Sequence, residues 1–296
     1  MNKLNGFLYG LLSSASFGLI PLFTIPAMRE GMNFESILFY RFLFACLALG
    51  CILLLDKQSF HIKRKEIPSL MLLAFLYLMS AVFLFWGYKF MASGVATTIH
   101  FMYPLAVALA MMGFFGEKRS FAILFAVLVS LSGAGLLSSG KIDFEGGNTT
   151  IGLIAAGLSV FFYGGYIVGV RKSRAVQIPS TALTCYVMGL GALFFIIGGY
   201  LTGGIRLAND TYTWLNILGL ALPATAISNI TLVKAIKYIG PTLTSIFGAL
   251  EPLTAVVIGC LIFNESFTPA SAIGMALIIT AVTVVVVHEK KKESES

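Results

Sequence analysis

Charge is scarce in this chain: only 11% of its 296 residues are Asp, Glu, Lys or Arg, against 58% that are hydrophobic. A soluble domain carries roughly a quarter charged residues, so a water-covered globular fold is excluded. Cysteine is sparse too. Cys46, Cys51, Cys185 and Cys260 each fall inside an apolar run without CxxC or Cys/His spacing, which indicates neither a disulfide framework nor a metal site. Polar connections are too short to house a soluble active site, and no nucleophile elbow, phosphate loop, HExxH or paired catalytic carboxylates occur. The chain therefore reads as a non-enzyme with no cofactor. A filter-like loop and a ring-forming charge pattern are absent as well, which argues against a channel. The net charge of +7 does not imply nucleic acid, because the basic residues sit in short tracts between apolar runs.

What is abundant is apolar runs of about 20 residues, each matched to a hydrocarbon layer of about 30 Å. They predict helices near 5–28, 34–55, 67–90, 93–115, 120–139, 150–170, 178–202, 212–236, 240–263 and 268–287. The first run could pass for a signal peptide, but it continues through Pro21 to Met28 and has an internal counterpart. Lys3, Lys57, Lys63 to Lys65, Lys118, Arg119, Arg171, Lys172, Arg174, Lys234, Lys237 and Lys290 to Lys292 fall on one side. Only Arg29, Lys89, Lys141 and Arg206 fall on the other. The positive-inside rule then makes both termini cytoplasmic in a multi-pass protein of the cytoplasmic (inner) membrane. An even number of spans is required, in agreement with ten.

A spacing of 146 residues pairs Gly6 with Gly152, Ser13 with Ser159, Gly18 with Gly164, and Tyr40 with Tyr186. A spacing of 148 pairs Ser80 with Ser228, Lys89 with Lys237, Pro104 with Pro252, Phe115 with Phe263, and Glu117 with Glu265. The register changes near the turn after the second helix of each half, where an insertion is cheap. Five helices per half force the second copy to enter the membrane upside down. The fold class expected is an all-α integral membrane protein of ten transmembrane helices, arranged as two inverted five-helix repeats around a central cavity. The first repeat spans 1–139, a connecting loop 140–149, the second repeat 150–287, and a solvated cytoplasmic tail 288–296. Inverted repeats recur in secondary transporters, where exchanging the conformations of the halves moves the opening from one side to the other.

The element Pro104 to Glu117, its copy Glu251-Pro252 to Glu265, and Phe39-Tyr40-Arg41-Phe42 together resemble EamA-type members of the drug/metabolite transporter superfamily, over nearly the whole chain. That resemblance implies ten spans, alternating access, and metabolites or amino acids moved commonly outward. The function expected is a secondary transporter exporting a small metabolite, such as an amino acid or related polar compound. Its alternatives are a carrier or floppase for a lipid-linked or nucleotide-sugar-like substrate, or an uptake permease. The chain departs from the family pattern at Tyr103, where the second repeat has Glu251, and at Val187, where the first has Arg41.

Ionisable groups inside the hydrocarbon are functional candidates by default. Arg41 and His100 lie about 10 Å from the outer helix ends, and Glu251 about 14 Å from the outer face. Arg41 and Glu251 either pair structurally or hold the carboxylate and amine of a zwitterionic solute, with protons on Glu251 or His100 as a coupling ion. The expected substrate-binding set is Arg41, His100, Tyr103, Tyr163, Asn229 and Glu251. Pro104 and Pro252 free the carbonyls of His100 and Gly248, so the faces Thr97, His100, Pro104 and Ser245, Gly248, Pro252 are expected to line the cavity, with Ser16, Ser80 and Trp86. Glu117 and Glu265 suggest capping or loop pinning, and Lys89 and Lys237 interfacial snorkelling. The partners expected are the small-molecule substrate and the lipid bilayer, for a monomer or homodimer.

Overall fold

The computed structural model describes residues 3–57, 60–88, 90, 93–117, 120–138, 149–201, 204–262 and 268–294. Lys89, Lys118, Arg119, Lys141, Glu265 and the connection at 140–148 lie outside the described residues. Every regular element is helical: α1 (Lys3–Phe17), α2 (Ile20–Arg29), α3 (Phe34–Leu55), α4 (Ile67–Tyr88), α5 (Ser93–His100), α6 (Tyr103–Phe114) and α7 (Phe121–Ser138). Then come α8 (Thr149–Lys172), α9 (Ser180–Leu201), α10 (Thr211–Ala221), a π-helical segment (Leu222–Ile227), α11 (Ser228–Phe247), α12 (Leu250–Ile262) and α13 (Pro269–Ser294). Seven helical stretches among the described residues are long and apolar enough to cross a membrane, and α6, α7 and α12 are shorter apolar helices. Phe121, Phe114 and Tyr200 are 90%, 86% and 86% exposed, an outer surface that suits lipid rather than water.

Three runs expected as continuous helices are broken. The chain leaves the helix at Gly18-Leu19, Phe101-Met102 and Gly248-Ala249, and each time a proline sits in the first turn of the helix that follows: Pro21, Pro104 and Pro252. Proline has no N–H to give to a preceding turn, so it disrupts a continuing helix but suits the start of a new one. A fourth discontinuity lies at Gly240, whose φ of +85° favours glycine and marks the expected boundary between the eighth and ninth runs. At the other extreme, α13 continues to Ser294 instead of ending at 287. Lys and Glu, which dominate this stretch of the sequence, are good helix formers.

Polar caps fix two of the turns. Asn33 accepts from the Ser36 amide at 3.3 Å to start α3. Asp210 accepts from the amide and hydroxyl of Thr213, at 2.8 and 2.6 Å, to start α10. Those Thr213 hydrogen bonds hold the Asp210 carboxyl below its ordinary range.

Four helix pairs dominate the packing: α1 with α11, α3 with α9, α4 with α8, and α7 with α13. The largest buried cluster, including Phe42, Leu49, Leu73, Tyr166, Leu183 and Met188, lies among α3, α4, α8 and α9. Residues equated by the two spacings make like contacts. Ser13 Oγ donates to the Ser228 carbonyl at 2.9 Å, and Ser80 Oγ to the Ser159 carbonyl at 3.2 Å. A Cβ added at Gly18 would come within 2.7 Å of the Glu251 carbonyl, and one at Gly164 within 3.9 Å of the Tyr103 carbonyl.

One end of the bundle is marked by Arg206, whose amide donates to Ser36 Oγ at 2.7 Å. At the other, Arg171 Nη1 donates to the Lys237 carbonyl at 2.7 Å, and Lys237 Nζ to the carbonyl of Ile178. Lys237 thus tethers the segment before α9 as well as lying at a helix end. Beside it Glu117 accepts from Thr242 Oγ1 at 2.6 Å, pinning the chain after α6 to α11.

Candidate functional site

Prolines, glycines and the π segment together leave room in the middle of the bundle. A cavity of about 990 Å³ is walled by parts of α1 to α5, α8 to α10 and α12. It runs from Glu251, His100 and Tyr163 in the interior to Met28, Glu35 and Trp86 at the Arg206 end, where Met28 and Trp86 are 52% and 44% exposed. Most of the wall is apolar, including Phe17, Ile20, Pro21, Phe42, Val82, Phe85, Phe101 and Phe195.

Arg41, on α3, is buried at 8% exposure and reaches the cavity from one side. Its Nε donates to Thr225 Oγ1 at 2.6 Å, and the Thr225 hydroxyl donates in turn to the Leu220 carbonyl at 2.7 Å. That second bond spans five residues and belongs to the π segment, where the widened turn leaves a carbonyl for a side chain to claim. Pro223 in the same segment has no N–H for the usual ladder, which gives the bulge a local cause. Asn229 Nδ2 then binds the Thr225 carbonyl at 2.9 Å, so a chain of polar contacts backs the guanidinium.

Glu251, in the first turn of α12, faces the same cavity within electrostatic range of Arg41. No ion pair joins them among the described residues; the cation and the carboxyl stand on different helices across a shared space. His100, at the end of α5, contributes a third polar group. Ser159 Oγ donates its proton to the Ala156 carbonyl at 2.6 Å, so in its 2.9 Å contact with His100 Nδ1 it accepts. The network thus assigns the proton of the neutral ring to Nδ1 and leaves Nε2 as a lone-pair acceptor.

The other expected residues divide. Tyr163, Ser80, Trp86, Thr97 and Pro252 line the cavity. Tyr103, Pro104, Ser16, Ser245, Gly248 and Asn229 do not, and each is packed within the bundle. Tyr103 reaches Gly248, where an added Cβ would overlap its hydroxyl. The Gly248 carbonyl, expected to be left open, accepts from the Glu251 amide at 3.0 Å because the chain tightens at the break. Two faces expected to be alike thus differ: Thr97 and His100 face open space, whereas their counterparts Ser245 and Gly248 are closed over.

The sequence pattern of the EamA-like transporter family matches residues 4–139 and again 150–287. The chain belongs to the EamA-like transporter family. Its family and its long apolar helices make it a multi-pass membrane protein. A protein from Archaeoglobus fulgidus named an uncharacterized transporter is 25% identical over 184 residues, and the match spans 62% of this chain and 62% of that relative's length. A solved crystal structure, described only as that of a protein, superposes with a TM-score of 0.83 over 99% of this chain and all of its own. At 17% identity this likeness shows the fold alone.

Several wall residues of this EamA-like chain escaped the sequence reading. Tyr77 lies one turn from Ser80 on α4 and shares its face, a spacing that was available. Thr225 is the counterpart of Tyr77 at the 148-residue spacing, but nothing in the sequence foretells a π turn that carries it to Arg41. Gly18 and Pro21 lie inside one apolar run, whose length alone predicts an unbroken helix over 5–28.

Replacing Thr225 tests how Arg41 is aimed. A hydrogen bond to a charged group contributes about 1.5–3 kcal/mol, so Thr225→Val is expected to weaken solute binding by roughly tenfold or more, while Thr225→Ser keeps it. Equal affinities for all three proteins would show that the Thr225 hydroxyl does not orient the guanidinium.

Proposed function

We propose that the chain is a ten-span secondary transporter built as two inverted five-helix repeats, 1–139 and 150–287, and that it acts by alternating access without enzyme chemistry. The substrate is a small zwitterion, an amino acid or related compound with an apolar side chain, exported across the cytoplasmic membrane. Both termini and the Lys237 end are cytoplasmic, and the Arg206 end is outside, as the distribution of Lys and Arg requires. The observation that carries this reading is a cavity at the Arg206 end with an arginine and a carboxyl facing it from different repeats, unpaired with each other.

The remaining geometry supports it. The pairings α1 with α11 and α4 with α8 exchange under an axis relating the halves, whereas α3 with α9 and α7 with α13 map onto themselves. Broken helices at Phe101-Met102 and Gly248-Ala249, one residue apart in register at the 148-residue spacing, supply the discontinuous elements from which transporter sites are built. Arg41 takes the solute carboxylate, Glu251 its ammonium, and the aromatic wall its side chain.

Purified protein in liposomes, offered a panel of amino acids and related metabolites with and without a pH gradient, tests the reading. Transport of at least one zwitterion, competed by its congeners and weaker for analogues lacking either charge, is the expected result. Equal handling of uncharged analogues would remove both assigned roles.

A further inference from the structure

The repeat relates Tyr103 to Glu251 and His100 to Gly248, so the contact Tyr103–Gly248 has the counterpart Glu251–His100. The first is closed here: the Tyr103 hydroxyl sits against Gly248, and α6 packs on α11. The second is open, because Glu251 and His100 both face the cavity, no hydrogen bond joins them, and α5 and α12 have no comparable packing. We propose that Glu251 and His100 come together when the outer end closes, forming a hydrogen-bonded pair that holds one proton. The proposal rests on the inverted-repeat transporter reading and adds to it a proton site shared between the halves.

The proton follows from donor and acceptor counting. With Nδ1–H bonded to Ser159, neutral His100 offers only the Nε2 lone pair, and an ionised Glu251 offers only acceptors. Two acceptors do not bond. Adding one proton, on the carboxyl or on Nε2, turns the contact into a hydrogen bond in either arrangement. The proton enters from water while the cavity is open, and it leaves when the pair separates.

The surroundings let this pair respond to pH. Glu251 is faced by Arg41 on α3, Tyr77 on α4, Tyr103 on α6 and Tyr163 on α8. His100 is faced by the rings of Tyr103 and Tyr163 at 5.8 and 5.3 Å. Glu35 lies at the cavity mouth, and the α2 and α9 walls add no titratable group. Arg41 is therefore the one fixed charge among these groups, and solute engaged with Arg41 and Glu251 competes with His100 for the same carboxyl.

The test is a distance measurement between spin labels at Thr97→Cys and Ala255→Cys, one turn outward of the pair, with the native cysteines replaced. In otherwise unaltered protein the distance is expected to shorten as pH falls. With Glu251→Gln, whose amide donates to Nε2 without an added proton, the short distance should appear at every pH. With His100→Ala the pH response should be lost.

A distance indifferent to pH, or a pH response that survives Glu251→Gln, overturns the proposal. Closure that follows pH in a protein that moves no solute would instead sink the transport reading.

Discussion

Arg41→Ala is expected to abolish solute transport while leaving the protein inserted and folded. Arg41 is buried, its Nε is engaged by Thr225, and the residue lines the cavity. Removing one partner of a buried, hydrogen-bonded charge contact costs about 2–5 kcal/mol, which corresponds to roughly 30-fold or more in binding. Arg41→Lys should restore only part of the loss. An ammonium keeps the charge but lacks the planar fork that can hold Thr225 and a carboxylate together. Size-exclusion profiles and thermal midpoints of the detergent-solubilised variants provide the folding control. Normal transport by Arg41→Ala would mean that the solute carboxylate binds elsewhere.

The same residue illustrates what a sequence can and cannot disclose. Arg41 stood out because a charge inside an apolar run is costly and therefore functional by default. Glu251 and His100 stood out on the same ground, and all three face one cavity. Their partners were hidden. Thr225 is an ordinary polar residue in an apolar segment until the π turn brings it against α3, and that turn depends on tertiary packing as well as on Pro223. The helices follow from run length, and Pro104 and Pro252, though not Pro21, mark weak points in the sequence. Whether such a proline kinks a helix or ends it depends on what packs beside the freed turn, as Gly18 does against Glu251 and Thr254. Least legible was the inequality between like faces. The letters Thr97 to Pro104 and Ser245 to Pro252 predict two equivalent walls, but the structure opens only one of them, and a sequence does not specify which member of a conformational ensemble is seen.

That inequality yields the second large effect, at Gly248. An alanine there would place its Cβ over the Tyr103 hydroxyl, 2.8 Å from Tyr103 Cζ and 3.0 Å from the Ser245 carbonyl. Overpacking of this kind costs about 1–3 kcal/mol. If the contact exists only while the inner end is sealed, the strain falls on that state alone and moves the equilibrium toward the inward-open one by roughly five- to 150-fold. Gly248→Ala is therefore expected to lose transport and to leave Thr97→Cys poorly labelled by an impermeant thiol reagent applied from outside. Tyr103→Phe in the same protein removes the overlapping oxygen but keeps the ring, so it should restore part of both. A strain shared by the two states would give a different pattern. The thermal midpoint would then fall while labelling of Thr97→Cys stayed unchanged, and Tyr103–Gly248 would be ordinary packing, not a contact that opens with each cycle.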